Sequence, residues 1–179
     1  MNRSTFQELI KNANLGDDVA QYNLGVCYDN GAYVAQSSIE AVKWYTLSAE
    51  NGNPHAQYNL GICFERGMGV PQSFVNAAKY YSMAAEQGLA DAQYNLGVFF
   101  YNGYGVIQSY RKAVDLFQKS ALQGNVNAQY MLGLCYDEGT GVDRDILKAY
   151  YWWMKAASQG DMEAANEANK LRRMYPGLL

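Results

Sequence analysis

Apolar side chains between Asp17 and Gly52 fall into two helical runs separated by a polar, glycine-containing turn. Ala20, Leu24, Cys27, Tyr28 and Gly31 stand at i, i+4, i+7, i+8 and i+11, which is one face of an α-helix. This predicts a first helix, helix A, over roughly residues 18–30, ended by Gly31 at the position where a helix commonly turns left-handed. Ser37 then supplies an N-cap oxygen, and Glu40 three residues on predicts a reciprocal capping box. A second helix, helix B, follows to about residue 51, with Ala41, Trp44, Tyr45, Ser48 and Ala49 on its apolar side and Gly52 after it. Small residues (Gly25, Ala41, Ala49) opposite large ones (Trp44, Tyr45) predict a close antiparallel pair. A glycine inside helix A costs about 1 kcal/mol relative to alanine, so packing must offset it.

The same pattern returns every 36 residues. Ala20-Gln21-Tyr22-Asn23-Leu24-Gly25 recurs unchanged at Ala56 and Ala92, and with one substitution at Ala128, while Ala164-Ala165-Asn166 keeps a trace. Ser73, Ser109 and Asp145 repeat the helix B cap, and Gly67, Gly103 and Gly139 repeat Gly31. The loop between the helices reads Gly-x-Gly-Val from each of those three glycines, whereas Tyr33 replaces the second glycine in the first copy. A period of this length predicts stacked supersecondary units, each burying its apolar face against the next. Four units are expected, 17–52, 53–88, 89–124 and 125–160. Residues 4–16 match helix B and form an N-terminal half-cap. Residues 161–174 match helix A, but Asn169 and Lys170 replace the glycine and the aliphatic residue, which gives the polar outer face an array end needs. The expectation is one all-α domain over residues 1–179.

Apolar residues make up 49% and charged residues 17% of the chain, so a folded protein is expected. The net charge is -3 with no basic cluster, and nucleic acid is therefore not an expected partner. No run of 18 apolar residues exists to span a membrane, and the first eleven residues lack a signal-peptide apolar run, so a cytoplasmic protein is expected. Cys27, Cys63 and Cys135 occupy one repeat position, on helices expected to pack about 8–10 Å apart, beyond the reach of a disulfide. They read as reduced core residues.

With these residues in place the pattern resembles the Sel-one-like repeat (SLR), a 36-residue relative of the tetratricopeptide repeat. The shared positions are Ala-x-x-x-Leu-Gly-x-x-Tyr-x-x-Gly-x-Gly-Val, then Lys-Ala-x-x-Trp-Tyr-x-x-Ala-Ala-x-x-Gly, over residues 5–174. Tyr33, Phe64, Phe100 and the serine caps depart from it. The resemblance implies a right-handed α-α superhelix (solenoid) and a role as a protein–protein interaction adaptor. Some family members are secreted and carry one disulfide per unit. This chain has at most one cysteine per unit, so that subgroup's properties do not transfer.

No catalytic constellation is legible. His55 is the only histidine, and Cys63 lies eight residues further along the same helix, about 12 Å in axial rise. Metal, cofactor and catalytic residues are therefore expected to be none. In tetratricopeptide-like stacks helix A lines the concave surface. That register nominates Tyr22, Val26, Asp29 and Asn30; Tyr58, Ile62, Glu65 and Arg66; Tyr94, Val98, Tyr101 and Asn102; and Tyr130, Leu134, Asp137 and Glu138. A tyrosine ladder beside an apolar stripe and a mostly acidic edge suits a protein or peptide. Packing between helices would equally explain the tyrosines, and solvation the acids. The reading is a non-enzymatic scaffold that binds a protein or peptide there. Two alternatives are a hydrolase or small-molecule binder like the secreted relatives, and a self-associating solenoid, such as a homodimer.

Overall fold

The computed structural model describes residues 3–177. Met1 and Asn2, at the start of the segment read as leaderless, and Leu179, the expected domain end, lie outside them. Among the described residues all regular structure is helical, in ten helices: α1 (Arg3–Asn14), α2 (Asp18–Asn30), α3 (Ser38–Glu50), α4 (Pro54–Arg66), α5 (Phe74–Glu86), α6 (Ala90–Asn102), α7 (Tyr110–Leu122), α8 (Val126–Glu138), α9 (Ile146–Ala157) and α10 (Met162–Met174). The helices fall into two compact units, Met1–Leu89 with α1–α5 and Ala90–Leu179 with α6–α10.

In the first unit α2 and α3 form an antiparallel pair. The Ser48 hydroxyl at the end of α3 donates to the Asp18 carbonyl at the start of α2 (2.7 Å), and the Ser37 amide donates to Tyr28 at the other end (2.9 Å). The pair closes around Gly25. A Cβ placed there would lie 2.6 Å from Tyr45, against an ordinary carbon contact of about 3.5–4.0 Å. Gly61 meets Tyr81 in the same way within the α4–α5 pair. In the second unit Gly97 meets Phe117, and Gly133 meets Trp153 at 2.3 Å. All four aromatic rings are buried. Burying side chains of this size contributes about 2–3 kcal/mol each, more than the roughly 1 kcal/mol a mid-helix glycine costs.

Ser37, Ser73, Ser109 and Asp145 cap α3, α5, α7 and α9 as predicted, each accepting from the amide three residues on. The capping box at Ser37 is only half formed. The Ser37 amide is already taken by the Tyr28 carbonyl, so Glu40 has no donor to reach and pairs with Lys43 at 3.3 Å. The B-type helices also bury more than the predicted stripe: Val42, Ala78, Val114, Ala84 and Ala156 are buried as well. Within the units α3, α7 and α9 pack on two sides, against their own partner and against the next A-type helix, which widens the apolar arc. Trp44 is half-buried against Phe6, Ala13, Ala20, Leu24 and Cys27, and its indole nitrogen is enclosed without a hydrogen-bond partner.

The second loop glycine has a steric role. At Gly69 (φ 72°) a Cβ would lie 2.3 Å from the Ser38 carbonyl, and at Gly141 (φ 76°) 2.6 Å from the Tyr110 backbone. The loop therefore lies directly on the preceding B-type helix. Tyr33 adopts the same left-handed conformation (φ 69°), a strained one for a residue with a side chain, and its ring stacks on Phe6 with centroids 5.4 Å apart.

A set of glutamines joins successive repeats. Gln57 is buried; its Nε2 donates to the Ala49 carbonyl of the preceding helix (3.2 Å) and its Oε1 accepts from Gln87 of the following one (2.9 Å). Gln21 bridges Ala13 and Asn51 likewise, and in the second unit Gln129 bridges Ala121 and Gln159. One amide thus ties three helices, using both its donor and its acceptor.

Candidate interaction surface

The A-type helices hold the nominated residues, and each unit presents them separately. In the first unit Tyr22 and Val26 are half-buried against the cluster formed by Ala41, Val42, Tyr45, Ala49, Ala56, Leu60 and Cys63. The Tyr22 ring lies 6.1 Å from Tyr45 and 5.8 Å from His55, both tilted. Tyr58 stands 5.8 Å from Tyr81, and Ile62 is half-buried. Asn30 and Arg66, at the helix ends, are exposed.

The acidic row is tied inward. Tyr45 donates its hydroxyl to Asp29 Oδ2 (3.5 Å), and Tyr81 donates to Glu65 Oε2. Loop glutamines Gln36 and Gln72 donate to the main-chain carbonyls of the same two acids (2.7 and 2.8 Å). Asp29 and Glu65 therefore satisfy buried phenols as well as facing outward. The second unit shows why the row is uneven. Phe117 replaces the tyrosine and has no hydroxyl, and Tyr101 stands in place of the acid, 6.4 Å from the Phe117 ring.

In that unit Tyr94 lies 6.0 Å from Phe117, and Tyr94, Val98 and Tyr101 pack against the core around Ala113, Phe117, Leu132 and Cys135. Tyr130 accepts the Trp153 indole N–H at its carbonyl (3.1 Å), and with Leu134 it borders the Ala149–Trp153–Leu171 cluster. Asp137 accepts from Arg144 at 3.5 Å, Asn102 donates to its own helix at Val98 (2.9 Å), and Glu138 is exposed. Burial pushes the phenols of Tyr94 and Tyr130 above their ordinary value, Tyr130 further through the carboxylates of Glu163, Glu167 and Asp161. Near neutral pH these side chains offer ring area and a neutral hydrogen-bonding hydroxyl.

Among the described residues no cluster of three or more metal-ligating side chains is placed to hold an ion. The three cysteines are buried and unpaired as disulfides. Burial raises the Cys63 thiol to about 11, helped by Asp29, and the Cys135 thiol to about 12, helped by Glu138. His55 is exposed, with its ring on Tyr22. The role of Gln21, Gln57 and Gln129 was missed in the sequence. The available signal was a glutamine next to the buried alanine, at one register in four units.

The repeat geometry agrees with comparison to known proteins. The Sel1 repeat matches residues 18–53, 54–89, 90–125 and 126–161, each span starting one residue after the unit read from the sequence. The chain belongs to the Sel1 repeat family. This Sel1 repeat chain is similar to a protective antigen of uropathogenic Escherichia coli strains that displays an SLR fold: 37% identity, TM-score 0.89, covering 95% of this chain and 36% of that one. It is also similar to a Sel1 repeat protein from Oxalobacter formigenes (36% identity, TM-score 0.87, 96% and 50% covered). The chain thus spans about a third and a half of the length of these two relatives. Cysteine-rich protein B of Helicobacter pylori shares the fold at 21% identity and TM-score 0.57, covering 71% of this chain and 91% of that one. Among curated proteins none matches the chain. The fold is the all-α class of antiparallel helix pairs in 36-residue repeats that the sequence predicts. Sel1 repeat proteins are in general protein-interaction scaffolds that bind protein partners. Among the described residues no helix is long and apolar enough to cross a membrane.

Proposed function

We propose that this chain is a non-enzymatic adaptor whose A-type helix faces hold a protein or peptide partner, the surface concave in related stacks. In the first unit the face comprises Tyr22, Val26, Asp29, Asn30, Tyr58, Ile62, Glu65 and Arg66. In the second it comprises Tyr94, Val98, Tyr101, Asn102, Tyr130, Leu134, Asp137 and Glu138. The observation that carries the reading is the half-burial of the tyrosines and aliphatic residues. Each is anchored on one side by the core yet keeps surface toward solvent, flanked by exposed polar residues at the helix ends. Rigid aromatic area with little entropy left to lose is what protein recognition favours. Co-purification from the native host tests this, comparing the wild type with a Tyr58→Ala/Tyr94→Ala variant whose helicity and melting are checked. The reading expects the bound proteins to be depleted in the variant. Equal retention by a folded variant would refute it.

A further inference from the structure

Among the described residues α1 is a B-type helix with no A-type helix before it, and α10 is an A-type helix with no B-type helix after it. One period before the first helix B, Glu8, Leu9, Asn12 and Leu15 stand in the places of Trp44, Tyr45, Ser48 and Asn51. Four periods after the first helix A, Met162, Ala165, Asn169 and Arg172 stand in the places of Asp18, Gln21, Gly25 and Tyr28.

In the complete pairs these places touch. Phe64 stacks on Tyr80 with ring centroids 5.6 Å apart, at the places of Arg172 and Glu8. Gly25 under Tyr45 and Gly61 under Tyr81 correspond to Asn169 and Leu9. Asn51 donates to Gln21, and likewise Gln87 to Gln57, Gln123 to Gln93 and Gln159 to Gln129, at 2.8–3.1 Å. That amide pair corresponds to Leu15 and Ala165. Ser48 donates to the Asp18 carbonyl and Ser120 to that of Ala90, both at 2.7 Å, in the places of Asn12 and Met162.

At each of the first three contacts both partners have changed, and the changes match. Two stacked rings become a carboxylate and a guanidinium. A hydrogen-bonded amide pair becomes an apolar pair. A glycine under a ring becomes an asparagine opposite leucine, where loss of the ring leaves room for a side chain. At the fourth contact Asn12 keeps a donor for the carbonyl. Glu8 and Arg172 are exposed, and neither has a partner among the described residues. Solvation would account for those charges but not for Leu15, which is 75% exposed where every complete unit has asparagine or glutamine. A helix end that met only water would keep the amide.

We propose that α10 of one copy docks on α1 of another and completes a further helix pair, with Arg172 facing Glu8 and Ala165 covered by Leu15. The occupant is a second copy because the two faces complement each other and not themselves: pairing like ends would bring Glu8 toward Glu8 or Arg172 toward Arg172, which is unfavourable. The contact is heterologous, so each docking leaves one α1 and one α10 face for a further copy or for ring closure. One helix on one helix is a small interface, and the association is therefore weak. This surface is separate from the partner-binding face proposed above.

Sedimentation velocity from about 10 µM to about 1 mM tests it, on the wild type, Glu8→Arg and Arg172→Glu, with melting followed by circular dichroism to show that each exposed substitution leaves the fold intact. The mean mass of the wild type should rise above that of a monomer with concentration. Either reversal sets like charges at the contact and should weaken association about tenfold or more. An equimolar mixture of the two variants should associate again, because the altered α1 of one meets the altered α10 of the other with opposite charges and their remaining ends carry the original pair. A wild type that stays monomeric, association indifferent to both reversals, or a mixture that associates no better than its components would each overturn the proposal.

Discussion

Adding one methyl group at Gly61 sets two effects of known sign against each other. In isolation Gly61→Ala should stabilise α4 by about 1 kcal/mol, because alanine restricts the unfolded chain and favours the helix. In the fold the new Cβ would lie 2.6 Å from both Cδ1 and Cε1 of Tyr81, about 1 Å inside an ordinary contact. The ring cannot retreat: Tyr81 is fully buried, and its hydroxyl is held by Glu65 at the far end. Overpacking of this kind costs about 1–3 kcal/mol, and a ring fixed at both ends belongs at the upper limit. The net expectation is a loss of about 2 kcal/mol, read as a lower urea midpoint by far-UV circular dichroism. The decisive measurement is the same change in a Tyr81→Ala background. That protein is itself weaker by about 3–5 kcal/mol, but the obstacle is gone, so Gly61→Ala should now stabilise by about 1 kcal/mol. A reversal of sign is the signature. Stabilisation in the wild-type background, or an equal loss in both, would refute the argument that the aromatic ring dictates the glycine.

Three further outcomes follow from the packing. Gln57→Met preserves volume but removes the bonds to Ala49 and from Gln87, and should cost about 1–3 kcal/mol in urea unfolding; an unchanged midpoint would deny the glutamine a structural role. Gly69→Ala should cost about 1–3 kcal/mol by its clash with the Ser38 carbonyl, whereas Tyr33→Gly should stay within about 1 kcal/mol, because relief of left-handed strain offsets loss of the Phe6 stack. Burial raises the thiols of Cys63 to about 11 and Cys135 to about 12, and the Tyr45 phenol also rises, burial acting first and Asp29 next. The unfolded chain ionises these groups at lower pH than the folded one does, so their contribution is intact below about pH 8.5 and is lost as pH climbs toward 11–12. The melting temperature should fall progressively above about pH 9, and thiol reagents near neutral pH should label none of the three cysteines until the chain unfolds. Rapid labelling of the folded protein would contradict their burial.

Much of this was legible because a repeat provides its own controls. Helix limits, caps and loop glycines recur at fixed offsets, so a position such as Gly25 could be assigned to close packing from its four copies. The capping box at Ser37 failed because a local motif cannot reveal that its amide is taken by Tyr28, nine residues earlier. The glutamines were overlooked because a polar side chain at a helical register reads as solvent-facing until the carbonyl it caps is seen. For the candidate surface, periodicity nominated the stripe but could not tell which acids face outward. Asp29 and Glu65 are partly occupied by phenols from a helix sixteen residues away in sequence.

The sequence by itself determined the helices, their pairing, the register of the repeat and the family, since these depend on local backbone preferences and on the spacing of apolar side chains. Only the tertiary structure decided which polar groups are left over. Tyr45 consumes part of Asp29, and the glutamines vanish between helices. A hydrogen-bonding group has a fixed capacity, and how much of it the fold itself uses depends on residues brought close from elsewhere in the chain.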